Sequence, residues 1–181
     1  FEANGAFTGE VAPRMLREVG ADRVLVGHSE RRHIFQEPDD WMGRKVRTAL
    51  DSDLLPIYCI GESLDERKGN KTERVLKRQL ESGFEKVLAV DAHRVTVAYE
   101  PVWAIGTGET ATSEQVATAH RSIRKWIVQR LGEEAAGLIR ILYGGSVKPD
   151  NAKELMSIDS VDGLLVGGAS LQAETFLPII E

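Results

Sequence analysis

Apolar residues gather in five short runs rich in β-branched side chains: Val24–Val26, Pro56–Ile60, Val95–Tyr99, Ile139–Tyr143 and Leu164–Val166. Each is bounded by glycine, proline or charge, as buried strands are. The runs start roughly 25–45 residues apart, which is the length of a strand plus a crossover helix. Between the second and third, Leu76, Leu80, Phe84, Val87 and Leu88 recur at steps of three and four among Lys and Glu, predicting an amphipathic helix. A second helix is predicted after Thr112-Ser113-Glu114-Gln115, which has capping-box spacing; Val116, Ala119, Ile123, Ile127 and Leu131 continue one face until Gly132. Shorter helical patterns cover Val11–Val19, Asp40–Leu50, Asn151–Met156 and Ala173–Ile180, the last shortened or kinked by Pro178. Alternating strands and helices of this kind predict an α/β fold with a parallel sheet buried on both faces. In such folds chemistry collects beyond the C-terminal ends of the strands.

Composition narrows the class. The chain has 181 residues, 42% hydrophobic and 28% charged, enough for one folded domain, residues 1–181, and unlike a disordered chain. A net charge of −5 argues against a nucleic-acid partner. Cys59 stands alone, so neither an internal disulfide nor a multi-thiolate zinc site can form, and a reducing, cytoplasmic setting is expected. No stretch approaches the roughly 18 apolar residues of a membrane span and no basic-then-apolar leader is visible, so no membrane association is expected.

The strand ends carry the candidate chemistry. The first run leads into Gly27-His28-Ser29-Glu30-Arg31-Arg32, the second into Gly61-Glu62-Ser63, and the third into Glu100-Pro101-Val102-Trp103. The fourth leads into Gly144-Gly145-Ser146 and the fifth into Gly167-Gly168-Ala169-Ser170. A single histidine at a strand end is commonly structural. His28 precedes Ser29-Glu30, which can open a helical turn whose positive N-terminal dipole disfavours imidazolium. A neutral ring there can donate to a substrate oxygen. Glu100 could be a structural carboxylate, yet Pro101 holds it extended and Ala104-Ile105-Gly106-Thr107-Gly108 follows as a glycine-punctuated loop, suggesting a base under a lid. Two glycine turns after the last two strands are either plain tight turns or the phosphate-binding arrangement of (β/α) barrels; the second reading is favoured. Cys59, inside an apolar run, reads as core packing. Arg31, Arg32 and His33 read as a solvated surface cluster without a catalytic role.

Taken together, Val26–Arg32, Ala98–Gly108, Tyr143–Val147 and Val166–Ala169 resemble the triosephosphate isomerase family, in order and over essentially the whole chain. The resemblance implies a TIM (β/α)8 barrel fold. It also implies interconversion of dihydroxyacetone phosphate and D-glyceraldehyde 3-phosphate through an enediolate, with no metal or organic cofactor. Glu100 would be the base and His28 the neutral electrophile, a division of labour for which this enzyme is a standard worked example. Gly106, Ser146, Gly167 and Gly168 would bind the substrate phosphate, and the loop from Pro101 to Thr110 would close over it. Gly5-Ala6-Phe7-Thr8-Gly9-Glu10 resembles the loop that joins the family's homodimer. Glu109 and Ser113 depart from the Lys and Pro common at the lid's far hinge.

A larger departure concerns the number of strands. About five βα units are visible where the family has eight, and the family's Asn-x-Lys motif at its first strand end has no counterpart there. Asn151-Ala152-Lys153 falls in a predicted helix instead. The expectation is a single partial barrel domain lacking the N-terminal strands, in which activity of the chain alone is open. The alternative is a non-catalytic remnant that binds phosphate or associates with a partner subunit.

Overall fold

Strand formation follows the apolar runs closely. The computed structural model describes residues 1–105 and 109–181. In chain order it contains α1 (Pro13–Glu18), β1 (Arg23–Val26), α2 (Ser29–His33), α3 (Met42–Asp51), β2 (Leu55–Ile60), α4 (Leu64–Lys68) and α5 (Thr72–Gly83). There follow β3 (Thr96–Tyr99), α6 (Ser113–Leu131), α7 (Glu133–Leu138), β4 (Arg140–Tyr143), α8 (Ala152–Met156), β5 (Gly163–Leu164) and α9 (Ala173–Ile180). Short 3-10 turns at Asp39–Trp41, Ala89–Arg94, Val102–Ala104 and Gly168–Leu171 complete the trace.

The five strands form one parallel sheet in the order β1-β2-β3-β4-β5. Register runs from Val26 opposite Tyr58, through Tyr58 opposite Val97 and Tyr99 opposite Tyr143, to Tyr143 opposite Leu164. All strand C-termini therefore share one edge, where the polar and glycine-rich segments emerge. The expectation of burial on both faces holds for β3, which is buried along its length, but not for β1, where Leu25 is 47% exposed. The cause is position: a strand at the sheet margin, among the described residues, has a neighbour on one side only.

Helices cover the sheet through the apolar stripes read from the sequence. Val116, Ala119, Ile123 and Ile127 of α6 are buried with Leu76, Leu80, Val97 and Ile141 in one core cluster. The helix begins at Thr112, whose hydroxyl accepts from the Gln115 amide while the Gln115 side chain accepts from the Thr112 amide, and it stops at Gly132 with φ +87°. The predicted stripe through Leu88 overran its helix. α5 ends at Gly83, where the Tyr58 ring packs so tightly that a Cβ would lie 2.1 Å from it. Phe84 and Val87 are still buried, whereas Leu88 is 60% exposed. Among the described residues no helix is long and apolar enough to cross a membrane.

Candidate active site

Gly27, at φ +74°, lets the chain turn sharply out of β1, since a left-handed backbone carries little steric penalty without a Cβ. The next residue, His28, caps α2: its Nδ1 accepts the Glu30 amide at 3.3 Å. An accepting Nδ1 carries no hydrogen, so this network assigns the ring proton to Nε2. That nitrogen faces Glu100 Oε1 at 3.1 Å. His28 and Glu100, singled out separately in the sequence, are thus brought together from the ends of β1 and β3.

Glu100 is 2% exposed. Its amide donates to Ile60 O at 2.7 Å, extending the β2–β3 pairing by one bond, and its Oε2 accepts the Ser29 amide at 3.1 Å. Burial raises the Glu100 carboxyl above its ordinary value, while His28, the Ser29 amide and the Cys59 thiol pull it partly back. A carboxylate of raised proton affinity, held by the Ser29 amide and faced by His28, is suited to taking and returning a proton. Cys59 is fully buried in β2, and its thiol is pushed well up by burial and then by the charge of Glu100. It packs beside Glu100, as a core residue.

The segment after Glu100 is anchored by a residue that the sequence did not single out. Glu62 is wholly buried, and its carboxylate accepts from Tyr99 Oη at 3.1 and 3.2 Å, Trp103 Nε1 at 3.0 Å and Arg67 Nη1 at 2.9 Å. Val102 N also donates to Glu62 O at 3.1 Å. The near stem of the expected lid is therefore fastened to the end of β2. Gly106, expected to contact phosphate, lies outside the described residues, as do Thr107 and Gly108.

Ser146 follows β4 in a turn secured by Asn151, whose side chain donates to Ser146 O at 3.1 Å and accepts the Lys148 amide at 2.8 Å. Asn151 stands at the N-terminus of α8, so Asn151-Ala152-Lys153 has a helix-opening role. Gly144 ties this turn to Glu100: its amide donates to Tyr99 O at 2.8 Å, and a Cβ on it would lie 3.0 Å from Glu100 Cγ. Gly167 and Gly168 follow β5, and an ideal Cβ on either would meet no heavy atom of the described residues within 4 Å beyond its chain neighbours. They share the strand-end edge with His28 and Glu100 and leave room for a ligand there.

One sequence reading needs correction. Arg32 is not part of a solvated cluster: its side chain is 8% exposed, and its Nε donates to Gly27 O at 2.6 Å. Polar partners on Gly27, Asp39, Tyr58 and Cys59 compensate for its burial, which no inspection of Arg31-Arg32-His33 alone reveals. Among the described residues no group of three or more His, Cys, Asp or Glu could hold a metal ion.

Comparison with known proteins bears on the family of the chain. The triosephosphate isomerase family model matches residues 1–181. The chain is 52% identical over 180 residues to the triosephosphate isomerase of Citrifermentans bemidjiense, covering 99% of this chain and 72% of that protein. It is 50% identical to that of Alkaliphilus oremlandii, covering 99% and 73%, and 49% identical to that of Fusobacterium nucleatum subsp. nucleatum, covering 98% and 70%. With a buried glutamate facing a histidine across parallel strand ends, and half of its residues shared with these relatives over nearly its whole length, the chain belongs to the triosephosphate isomerase family.

Proposed function

We propose that the site interconverts dihydroxyacetone phosphate and D-glyceraldehyde 3-phosphate, with Glu100 as the base and His28 as the electrophile. The observation that carries this reading is the 3.1 Å approach of His28 Nε2 to Glu100 Oε1. In the resting site His28 Nε2 and Glu100 Oε1 stand at ion-pair distance. When substrate enters, the Nε2 proton serves its carbonyl oxygen, stabilising the negative charge that develops there. Glu100 takes the proton from the neighbouring carbon and returns it to the other. No oxidant, metal or organic cofactor is required, because the reaction moves one proton between carbons and one between oxygens.

The phosphate is assigned to backbone amides at Ser146, Gly167 and Gly168, supported by the open space at the two glycines and the preference of anions for Cβ-free turns. Gly106 is assigned there by resemblance. The loop Gly5–Glu10 is assigned to a homodimer contact, supported by the exposure of Phe7 and Glu10, and a cytoplasmic setting belongs to the same reading.

Turnover of dihydroxyacetone phosphate by the chain, Glu100→Gln and His28→Gln tests the assignment. Glu100→Gln is expected to lower kcat about 100- to 10,000-fold, and His28→Gln to lower kcat with KM little changed. Parental turnover in Glu100→Gln overturns it. A second reading, association with a partner subunit without turnover, is supported by the exposed β1 edge, where Leu25 is 47% exposed. Absence of isomerisation, together with a concentration-dependent sedimentation coefficient, would favour it.

A further inference from the structure

We infer that Arg32, Tyr58 and Gln79 form a continuous hydrogen-bonded brace behind the sheet edge, and that this brace positions His28 and Glu100 relative to each other. The inference rests on the site assignment above and concerns residues that touch neither substrate nor the reacting atoms. They are positioning residues.

The brace starts at the turn that aims the histidine. Arg32, in α2, donates from Nε to Gly27 O at 2.6 Å and from Nη2 to Cys59 O at 3.3 Å and Tyr58 Oη at 3.2 Å. Its Nη1 is paired with Asp39. One planar guanidinium thus fixes the carbonyl just before His28 and a carbonyl near the end of β2, which two separate point donors could not do in one plane. It also lies 5.8 Å from the centre of the Tyr58 ring.

Tyr58 is the joint. It is fully buried, and its hydroxyl, accepting from Arg32, donates to Gln79 O on α5 at 2.5 Å. The Gln79 side chain then clasps Gly61 in both senses: Oε1 accepts the Gly61 amide at 2.8 Å and Nε2 donates to Gly61 O at 3.2 Å. A primary amide is the neutral side-chain group that both donates and accepts in this way. Gly61 is the residue where β2 runs out, between the carbonyl of Ile60 that accepts from Glu100 N and the carbonyl of Glu62 that accepts from Val102 N. The side chain therefore holds a backbone unit flanked on both sides by bonds to the Glu100 segment.

The chain of contacts runs from Gly27, beside His28, through Arg32, Tyr58 and Gln79 to Gly61, beside Glu100. Every link is a polar group taken out of water and satisfied within the brace, so removing one leaves its neighbour unpaired. The consequence for function lies in distance. Reacting groups displaced by about 1 Å can lose on the order of 100-fold in rate without loss of binding.

Tyr58→Phe removes the joint with little change in volume, Gln79→Leu removes the clasp, and Gln79→Glu keeps the acceptor for Gly61 N while losing the donor. Nitrogen-15 NMR of the His28 ring and of the Ser29 and Gly61 amides reads positioning without reference to turnover; kcat, KM and Tm are measured beside it. Tyr58→Phe and Gln79→Leu are expected to shift the Ser29 amide and His28 ring signals. They are expected to lower kcat about 10- to 100-fold with KM within about twofold, and Gln79→Glu to recover part of the loss. If Gln79→Leu does not fold, Tyr58→Phe decides. Folded variants with parental Ser29 and His28 signals overturn the brace. Full turnover in Glu100→Gln would instead overturn the site assignment, leaving the NMR result on the brace intact.

Discussion

A Cβ placed on Gly61 would lie 1.7 Å from the carbonyl oxygen of Glu100 and 2.5 Å from its carbonyl carbon. Backbone meets backbone here, so no flexible side chain can yield. Gly61→Ala is expected to push the ends of β2 and β3 apart, costing about 1–3 kcal/mol as overpacked cores do, and to lower turnover further than that loss of stability explains. Urea unfolding and kcat on the same preparation check both; an unchanged unfolding midpoint would show that the contact is relaxed without cost.

Glu100 should make the protein less stable when ionised. Burial raises its folded carboxyl above the ordinary value near 4.5, so the folded state binds the proton more tightly than the unfolded chain does. The stabilisation is complete below the unfolded value and is lost as pH rises through the folded one. Glu100→Gln, which keeps the neutral form at all pH values, is expected to be more stable than the parent at pH 7. The difference should shrink below pH 4.5 in urea titrations run across that range.

His120 gives the opposite slope. It is fully buried on α6, its Nδ1 lies 2.8 Å from Ser160 O, and its Nε2 has no hydrogen-bond partner among the described residues. Burial depresses it from 6.5 to about 4. The unfolded chain therefore takes up a proton first as pH falls, and stability declines from about pH 6.5 to about pH 4, by on the order of 3 kcal/mol. His120→Asn, which can still donate to Ser160 O, is expected to flatten that part of the stability curve. An unaltered slope would mean that another group carries it.

Gly168→Val puts a branched side chain into space that is open around residue 168. The fold should tolerate it, with a stability change within about 0.5 kcal/mol as for other exposed positions. Affinity for inorganic phosphate and for substrate should fall together, because the anion can no longer approach the backbone. Calorimetric titration with phosphate checks this, and unchanged affinity would remove the β5 turn from the site.

Much of this was legible in local sequence because its causes are local. The α6 boundaries follow from Thr112, Gln115 and Gly132, and each strand begins within two residues of its apolar run. The capping box at Ser63 and Glu66 that starts α4 was equally local, though it was not among the helices expected from the apolar pattern. Candidates at strand ends could be chosen one by one, but their meeting needed the sheet: His28 and Glu100 lie 3.1 Å apart through the register of β1, β2 and β3. Arg32 and Glu62 stayed hidden for the same reason. Arg32, among charged neighbours, looks solvated until Tyr58 and Cys59 are found against it, and the anchoring role of Glu62 shows only when Tyr99 and Trp103 are.

Pairing between β4 and β5 extends over only two residue pairs, Leu142 with Gly163 and Tyr143 with Leu164, whereas β1–β2, β2–β3 and β3–β4 each pair over four. Short ladders open at lower free energy than long ones, and hydrogen exchange registers the difference. The two halves of the site are therefore unequally secured. Transient opening of the last strand would release the Gly167-Gly168 turn proposed for the phosphate while the histidine and glutamate stayed in register. On the proposed site, affinity and chemical competence can then be lost in sequence, with the grip on phosphate going first.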